Sequence, residues 1–199
     1  MSKARHWIWP ALVLLLLAGP ATAASYWWYP AGGAGGNWHA NAAGTLDWNS
    51  QADGLGAFSS WPNIIDLALP YKMDDAYFTA GTTPYTVTLT ETIYADTAFV
   101  QIAGVTIDLA SQTLYAGVDD YDSGTDTKYN VVVNGGAGSI WNITRNVEMY
   151  GSVTGSMTMY VDANLQLWGV ADGGTASTYT GDVFITGGTF NPFAASEFG

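Results

Sequence analysis

From Tyr85 onward the chain alternates between apolar and polar residues, and this period of two is the feature that most restricts its fold. "YTVTLTET" sends Tyr85, Val87 and Leu89 to one face and Thr86, Thr88 and Thr90 to the other. "VTIDLA" sets Val105, Ile107 and Leu109 opposite Thr106 and Asp108. "MTMYVD" aligns Met157, Met159 and Val161, and "LQLW" and "DVFITGG" repeat the pattern with Leu165/Leu167 and Val183/Ile185. Such alternation specifies half-buried strands. No stretch after the first two dozen residues has the 3.6-residue period of an amphipathic helix. Gly, Thr, Asn, Asp, Val and Tyr dominate, while Lys, Arg and Glu are scarce.

Glycine-containing corners at 103–104, 116–117, 134–138, 150–151, 154–155 and 187–188 separate the runs. Short strands with regular glycine corners imply a sandwich, a barrel or a solenoid. An internal echo favours the solenoid. "LYAGVDDYDSGTDTKYNVVVNGG" (114–136) and "LWGVADGGTASTYTGDVFITGG" (167–188) share a Leu–aromatic start, an acidic or small-residue loop, a tyrosine, three β-formers and a Gly-Gly corner. Their 52-residue offset (Val131 to Val183) is read as two coils of roughly 20–28 residues, the signature of stacked repeats. The expected fold is therefore a right-handed parallel β-helix (β-solenoid), with a β-sandwich as the alternative. Residues 85–199 form the coils, and 24–84 form a Gly- and Trp-rich N-terminal cap with the first strands.

The first 23 residues set the expected compartment. Lys3 and Arg5 precede the apolar run "WIWPALVLLLLAG", and Ala21 and Ala23 supply an A-x-A site, the order of a secretory signal peptide. The run from Trp7 to Gly19 is shorter than the ~20 residues a membrane span needs. Cleavage after Ala23 leaves no stable membrane span and implies a secreted, extracellular or cell-surface protein. The mature chain then carries 3 Lys+Arg against 17 Asp+Glu, a net charge of −14. That surface repels nucleic acid and anionic lipid. Cysteine is absent, so no disulfide braces the exported chain.

Between the signal and the first clear strand, large aromatics sit among Gly, Ala and Asn: Trp27, Trp28, Trp38, Trp48 and Trp61. A solenoid ends in unpaired backbone and an open apolar column, and it needs a cap against edge-to-edge association. The tryptophans suit that cap, each burying about 150–250 Å². Exposed, they would instead form a stacking platform for sugars. The order of Trp28, Gly35, Gly36, Asn37, Trp38, Trp48, Pro70, Asp75, Ala76, Phe78, Val87 and Leu89 resembles the opening of secreted bacterial proteins with autotransporter-associated β-strand repeats, many of which carry a PEP-CTERM sorting signal. The resemblance covers about residues 26–118. It implies a bacterial β-solenoid at the cell surface. The stretch from Trp48 to Asp75 is longer than in that pattern, and "NPFAASEFG" has neither a C-terminal helix nor an Arg-rich tail, which implies a short member or a fragment truncated at its C-terminus.

The densest candidate site is "GVDDYDSGTD", where Asp119, Asp120, Asp122 and Asp126 lie within eight residues. Hard carboxylate oxygens at such spacing suit Ca²⁺, the one cofactor considered. The order is not that of an EF-hand, since Gly124 stands fifth from Asp120, and the echo loop keeps only Asp172. A solvated acidic loop is the favoured reading of the run, with a weak Ca²⁺ site as the alternative. Catalytic residues are not assigned. Glycoside hydrolysis needs only two carboxylates, so abundant aspartates decide nothing. The mature cations Lys72, Lys128 and Arg145 are far apart, and His39 is the sole mature histidine. P-loop, Rossmann, zinc and nucleophile-elbow motifs are missing. Asn142 opens an N-x-T acceptor sequence inside an expected strand. The expectation is a non-enzymatic exported adhesin- or matrix-like protein whose partners are polysaccharide or cell-surface components. The alternative is a carbohydrate-binding module or a fragment of a polysaccharide-degrading β-helix enzyme. Aromatics buried at the N-terminal end favour the first; aromatics and carboxylates converging in a lateral groove favour the second.

Overall fold

The alternating runs become stacked parallel strands, one rung above another. The computed structural model describes residues 23–29, 35–39, 46–63, 73–81, 83–168, 174 and 176–192. The signal segment up to residue 22, Pro70, Lys72 and Asp172 lie outside the described residues. Those described contain strands and no helix, and they wind into a β-solenoid of about five turns. The first sheet runs Val183–Ile185, Thr158–Val161, Ile140–Ile143, Thr113–Asp119, Ile93–Val100, Asp75–Phe78 and Ser25–Trp28, all parallel. The second runs Thr178–Tyr179, Ser152–Gly155, Val132–Gly135, Val105–Asp108, Tyr85–Leu89 and Gly36–Trp38, also parallel. A third parallel sheet stacks Val147–Met149, Leu165–Leu167 and Phe190–Pro192.

Register makes the core continuous. Ile93, Leu114, Trp141, Met159 and Val183 occupy successive rungs of one inward rank. Val87, Ile107, Val133 and Val153 form another on the second sheet, all four fully buried. Full burial of such a side chain contributes about 1.5–3 kcal/mol relative to exposure. This column supplies the stability that the absent disulfides do not.

One sequence expectation changes. The 52-residue echo does not match equivalent positions: Leu114 lies on the first sheet and Leu167 on the third, Val131 leads into the second sheet and Val183 lies on the first. Coil length varies instead: 50 residues from Tyr26 to Ala76, 27 from Leu114 to Trp141 and 18 from Trp141 to Met159. The 27-residue coil holds an extra antiparallel hairpin, Tyr121–Asp122 with Thr127–Lys128. The region 24–84, expected to hold the cap with the first strands, contributes rungs to the stack. Ser25–Trp28, Gly36–Trp38 and Asp75–Phe78 already belong to its sheets, so cap and coil share the region 24–84.

The beginning of the first sheet is closed differently from the rest. Ser25–Trp28 pairs in parallel with Asp75–Phe78 on one side and antiparallel with Trp48–Asn49 on the other. Trp48–Asn49 pairs antiparallel with Phe58–Ser59. These two short strands lie outside the first parallel rung and occupy the edge that Ser25–Trp28 would otherwise present.

Candidate functional site

The four aspartates of the acidic loop point to four different tasks. Asp120 is fully buried. Its Oδ2 accepts the Val131 N–H at 2.9 Å and its Oδ1 the Tyr150 N–H at 2.7 Å, so it ties the inserted hairpin to the next coil. Burial pushes its pKa up to about 6, against the pull of those backbone N–H donors. Asp122 accepts from Gly124 N and from the Thr125 hydroxyl, which hold its pKa below the usual value. Asp126 accepts the Tyr121 phenol at 3.1 Å. Asp119 accepts the Tyr121 N–H at 3.0 Å. No three His, Asp or Glu side chains among the described residues gather where a cation could be held. The reason is local: neighbouring carboxylates are used as turn and staple acceptors, and alternation sends Asp119 and Asp120 to opposite faces.

Asp119 instead lines a lateral cleft of about 460 Å³ together with Tyr121, Asn146, Glu148, Asn164 and Gln166. The hairpin insertion supplies one wall and the outer face of the third sheet the other. Glu148 and Gln166 are register partners on adjacent rungs. Asn146 and Asn164 sit at the same corner of successive coils. The Asn146 Oδ1 accepts the Asn164 N–H at 2.8 Å, and the Asn164 Oδ1 accepts the Thr189 N–H at 3.1 Å. Burial, and then the charge of Glu148, raise the pKa of Asp119. Two carboxylates, three carboxamides and a phenol, with no cation among them, suit a hydroxyl-rich uncharged group or a cationic one; an anionic ligand meets like charge. Glu148, Gln166, Asn146 and Asn164 were not singled out from the sequence. The signal was present in "VEM" and "LQL", where one polar residue stands between two inward apolar ones.

The tryptophans divide. Trp28, Trp38, Trp48 and Trp61 are almost wholly buried and meet one another and Phe78, with ring centroids 4.8 Å (Trp48–Trp61) to 6.0 Å (Trp28–Phe78) apart. They fill the first end of the apolar column. The Gly-Gly pair of the opening motif makes this possible. A methyl on Gly35 would lie 2.0 Å from the Thr86 carbonyl oxygen, and one on Gly36 would press on the Trp28 ring at 3.3 Å. The Trp61 indole donates to the Tyr94 carbonyl at 3.1 Å. Trp27, one residue from Trp28, points outward by the same alternation. It stacks on Tyr77 (5.1 Å, 19°), which stacks on Phe99 (4.8 Å, 18°). In this ladder both faces of Tyr77, and one face each of Trp27 and Phe99, lie against a neighbouring ring.

The remaining polar candidates are separate. His39 Nδ1 lies 2.7 Å from the Thr90 hydroxyl. Arg145 pairs with Asp96, and Lys128 sits 4.8 Å above the Tyr150 ring. Asp75 lies in the field of Asp96, Arg145 and Asp74, and burial above all lifts it to about 6. Asn142 lies in the strand Ile140–Ile143, as its surroundings in the sequence suggested. Fold and site together define a β-solenoid with an aromatic end plug and a polar lateral cleft. Comparison with known proteins finds no matching family model, no similar curated protein and no similar solved structure.

Proposed function

We propose that this is an exported, non-enzymatic β-solenoid acting as a structural or adhesive element at the cell surface or in an extracellular matrix. The observation that carries this reading is the burial of Trp28, Trp38, Trp48 and Trp61 in the end of the column. These large aromatics are committed to holding a rod together rather than to a substrate groove. The basic–apolar–A-x-A start, the charge of −14 that cleavage would leave and a Trp-Gly opening that resembles that of bacterial surface β-repeat proteins support the same reading. In the test, protein beginning at Ala24 is mixed with intact cells and isolated surface polysaccharide of the producing organism. Sedimentation with the cells, without release of new reducing ends, is expected. Catalytic release of reducing ends contradicts the proposal.

The lateral cleft favours a second reading, a carbohydrate-binding module. Asp119, Glu148 and Gln166 would bind sugar hydroxyls beside the Tyr121 ring. Under this reading, Glu148→Ala combined with Gln166→Ala abolishes retention on an uncharged polysaccharide while the melting temperature is kept. Retention equal to that of the unaltered protein removes the cleft from consideration.

A further inference from the structure

The residue just before the first strand makes a contact that the sheet does not require. The Ala24 nitrogen donates to Asp74 Oδ1 at 2.7 Å. Asp74 is only 3% exposed, and its Oδ2 is buried with no hydrogen-bond partner among the described residues. The surroundings are acidic. Asp75 lies within the fields of both Asp74 and Asp96, and Arg145 is engaged with Asp96. The Tyr26 phenol also lies in the field of Asp74. Burying a carboxylate with one oxygen unpaired is costly, and burial raises the pKa of Asp74; a cation at this position would relieve that cost. Ala24 is also the residue that follows the A-x-A site.

We propose that cleavage between Ala23 and Ala24 makes the Ala24 nitrogen an α-ammonium that forms an ion pair with Asp74, so that removal of the leader completes the N-terminal end of the solenoid. Water adds across the peptide bond. The Ala23 carbonyl leaves as a carboxylate, and the Ala24 nitrogen ends with three hydrogens in place of one. An amide N–H can serve one oxygen of Asp74; an ammonium can donate to both and also supplies the missing positive charge. In the uncleaved chain the same nitrogen is neutral. The leader is then more than an address, because its removal changes the charge at a buried carboxylate. The cleavage rests on the export reading; the ion pair does not.

The experiment separates the two. Protein produced to begin at Ala24 is prepared with a free amine, with the amine acetylated, and with a short uncharged extension. The amine is titrated by NMR, and the denaturant midpoint of each form is measured at pH 7. The free amine is expected to titrate above the ordinary 7.7–8.0 of an α-amino group. The free form is also expected to have the highest midpoint, and Asp74→Asn to erase its advantage over the acetylated form. If Asp74→Asn fails to fold, the titration of the unaltered protein decides alone. An amine with an ordinary titration, together with equal midpoints for free and acetylated protein, overturns the ion pair. N-terminal sequencing of exported protein tests the processing step: a start at Ala24 supports it, and any other start overturns it whatever the titration shows.

Discussion

The two ends of the first sheet occupy the same kind of position and are treated oppositely. Trp28 is the first rung of an inward rank that continues through Phe78 and Val100, and all three are fully buried. At the other end, Val161 is fully buried, yet its register partner one rung further on, Ile185, is 58% exposed, and the neighbouring Phe184 is 47% exposed. Period-two alternation assigns a side chain to the inner face. Burial then depends on having a rung on both sides. The first end has that cover because an antiparallel pair of strands lies beside Ser25–Trp28, and Trp48 packs on Trp28 with Trp38 and Trp61 packed on Trp48 in turn. Among the described residues, Val183–Ile185 has a sheet neighbour on one side only.

The most severe way to break this comparison is to remove the covered end. A fragment beginning at Tyr85 lacks the aromatic plug and the antiparallel strands, and it presents parallel edges at both ends. It is expected to self-associate or form fibres, because an unprotected edge templates pairing. Light scattering and size exclusion read this out, and a soluble monomer with a normal cooperative melt would count against the cap.

Point substitutions sharpen the contrast. Trp48→Ala removes a ring that touches Trp28, Trp38, Trp61 and Phe78, and is expected to cost about 3–5 kcal/mol in denaturant unfolding. Ile185→Ala, at the exposed end, is expected to cost less than about 1 kcal/mol, since little area leaves water there on folding. Similar losses at the two positions would mean that the ends are not different in kind.

Between the ends, one coil is fastened by a polar staple instead of a plug. Asp120→Asn places an amide NH₂ where a carboxylate oxygen accepts a backbone N–H. The expected loss is about 1–3 kcal/mol, the usual cost of a buried donor left without an acceptor. An unchanged unfolding midpoint would show that the hairpin is held by other contacts.

The smallest effect is in pH dependence. Asp75 and Asp120 are pushed up to about 6, whereas an unfolded aspartate titrates near 3.9. The native state therefore keeps these protons where the unfolded chain has released them. Their stabilising contribution is full below about pH 4 and is lost as pH rises through about 6. Asp122, held low by its turn donors, works in the opposite direction. The denaturant midpoint is expected to fall between pH 4 and pH 7, and Asp75→Asn with Asp120→Asn to flatten the slope. A midpoint that rises over this interval contradicts the assignment.

Much of the fold was legible because alternation and burial agree in the middle of the stack. Tyr85, Val87 and Leu89 face inward as "YTVTL" predicts, and so do Met157, Met159 and Val161. The same rule sends the adjacent Trp27 and Trp28 to opposite faces. The coil period was not legible, because the corner loops differ in length and the inserted hairpin shifts everything after it. The antiparallel closure at Trp48 was also hidden, since strand direction leaves no trace in a two-residue pattern. The candidate site was harder still. Glu148 and Gln166 meet Asp119 only through the stacking of coils, and Ala24 meets Asp74 across 50 residues. A run of acids drew attention to Asp120, but only the folded chain shows its carboxylate occupied by backbone N–H groups.

The central claim is that the first end of the column is sealed by tryptophans, whereas among the described residues the inward rank at the other end finishes on an exposed Ile185. Native-state amide hydrogen exchange measures this directly, strand by strand. Amides of Ser25–Trp28 and Trp48–Asn49 are predicted to exchange only through global unfolding, while those of Val183–Ile185 exchange through local opening at much lower free energy. Equal protection at both ends, or faster exchange at the tryptophan end, would contradict the account.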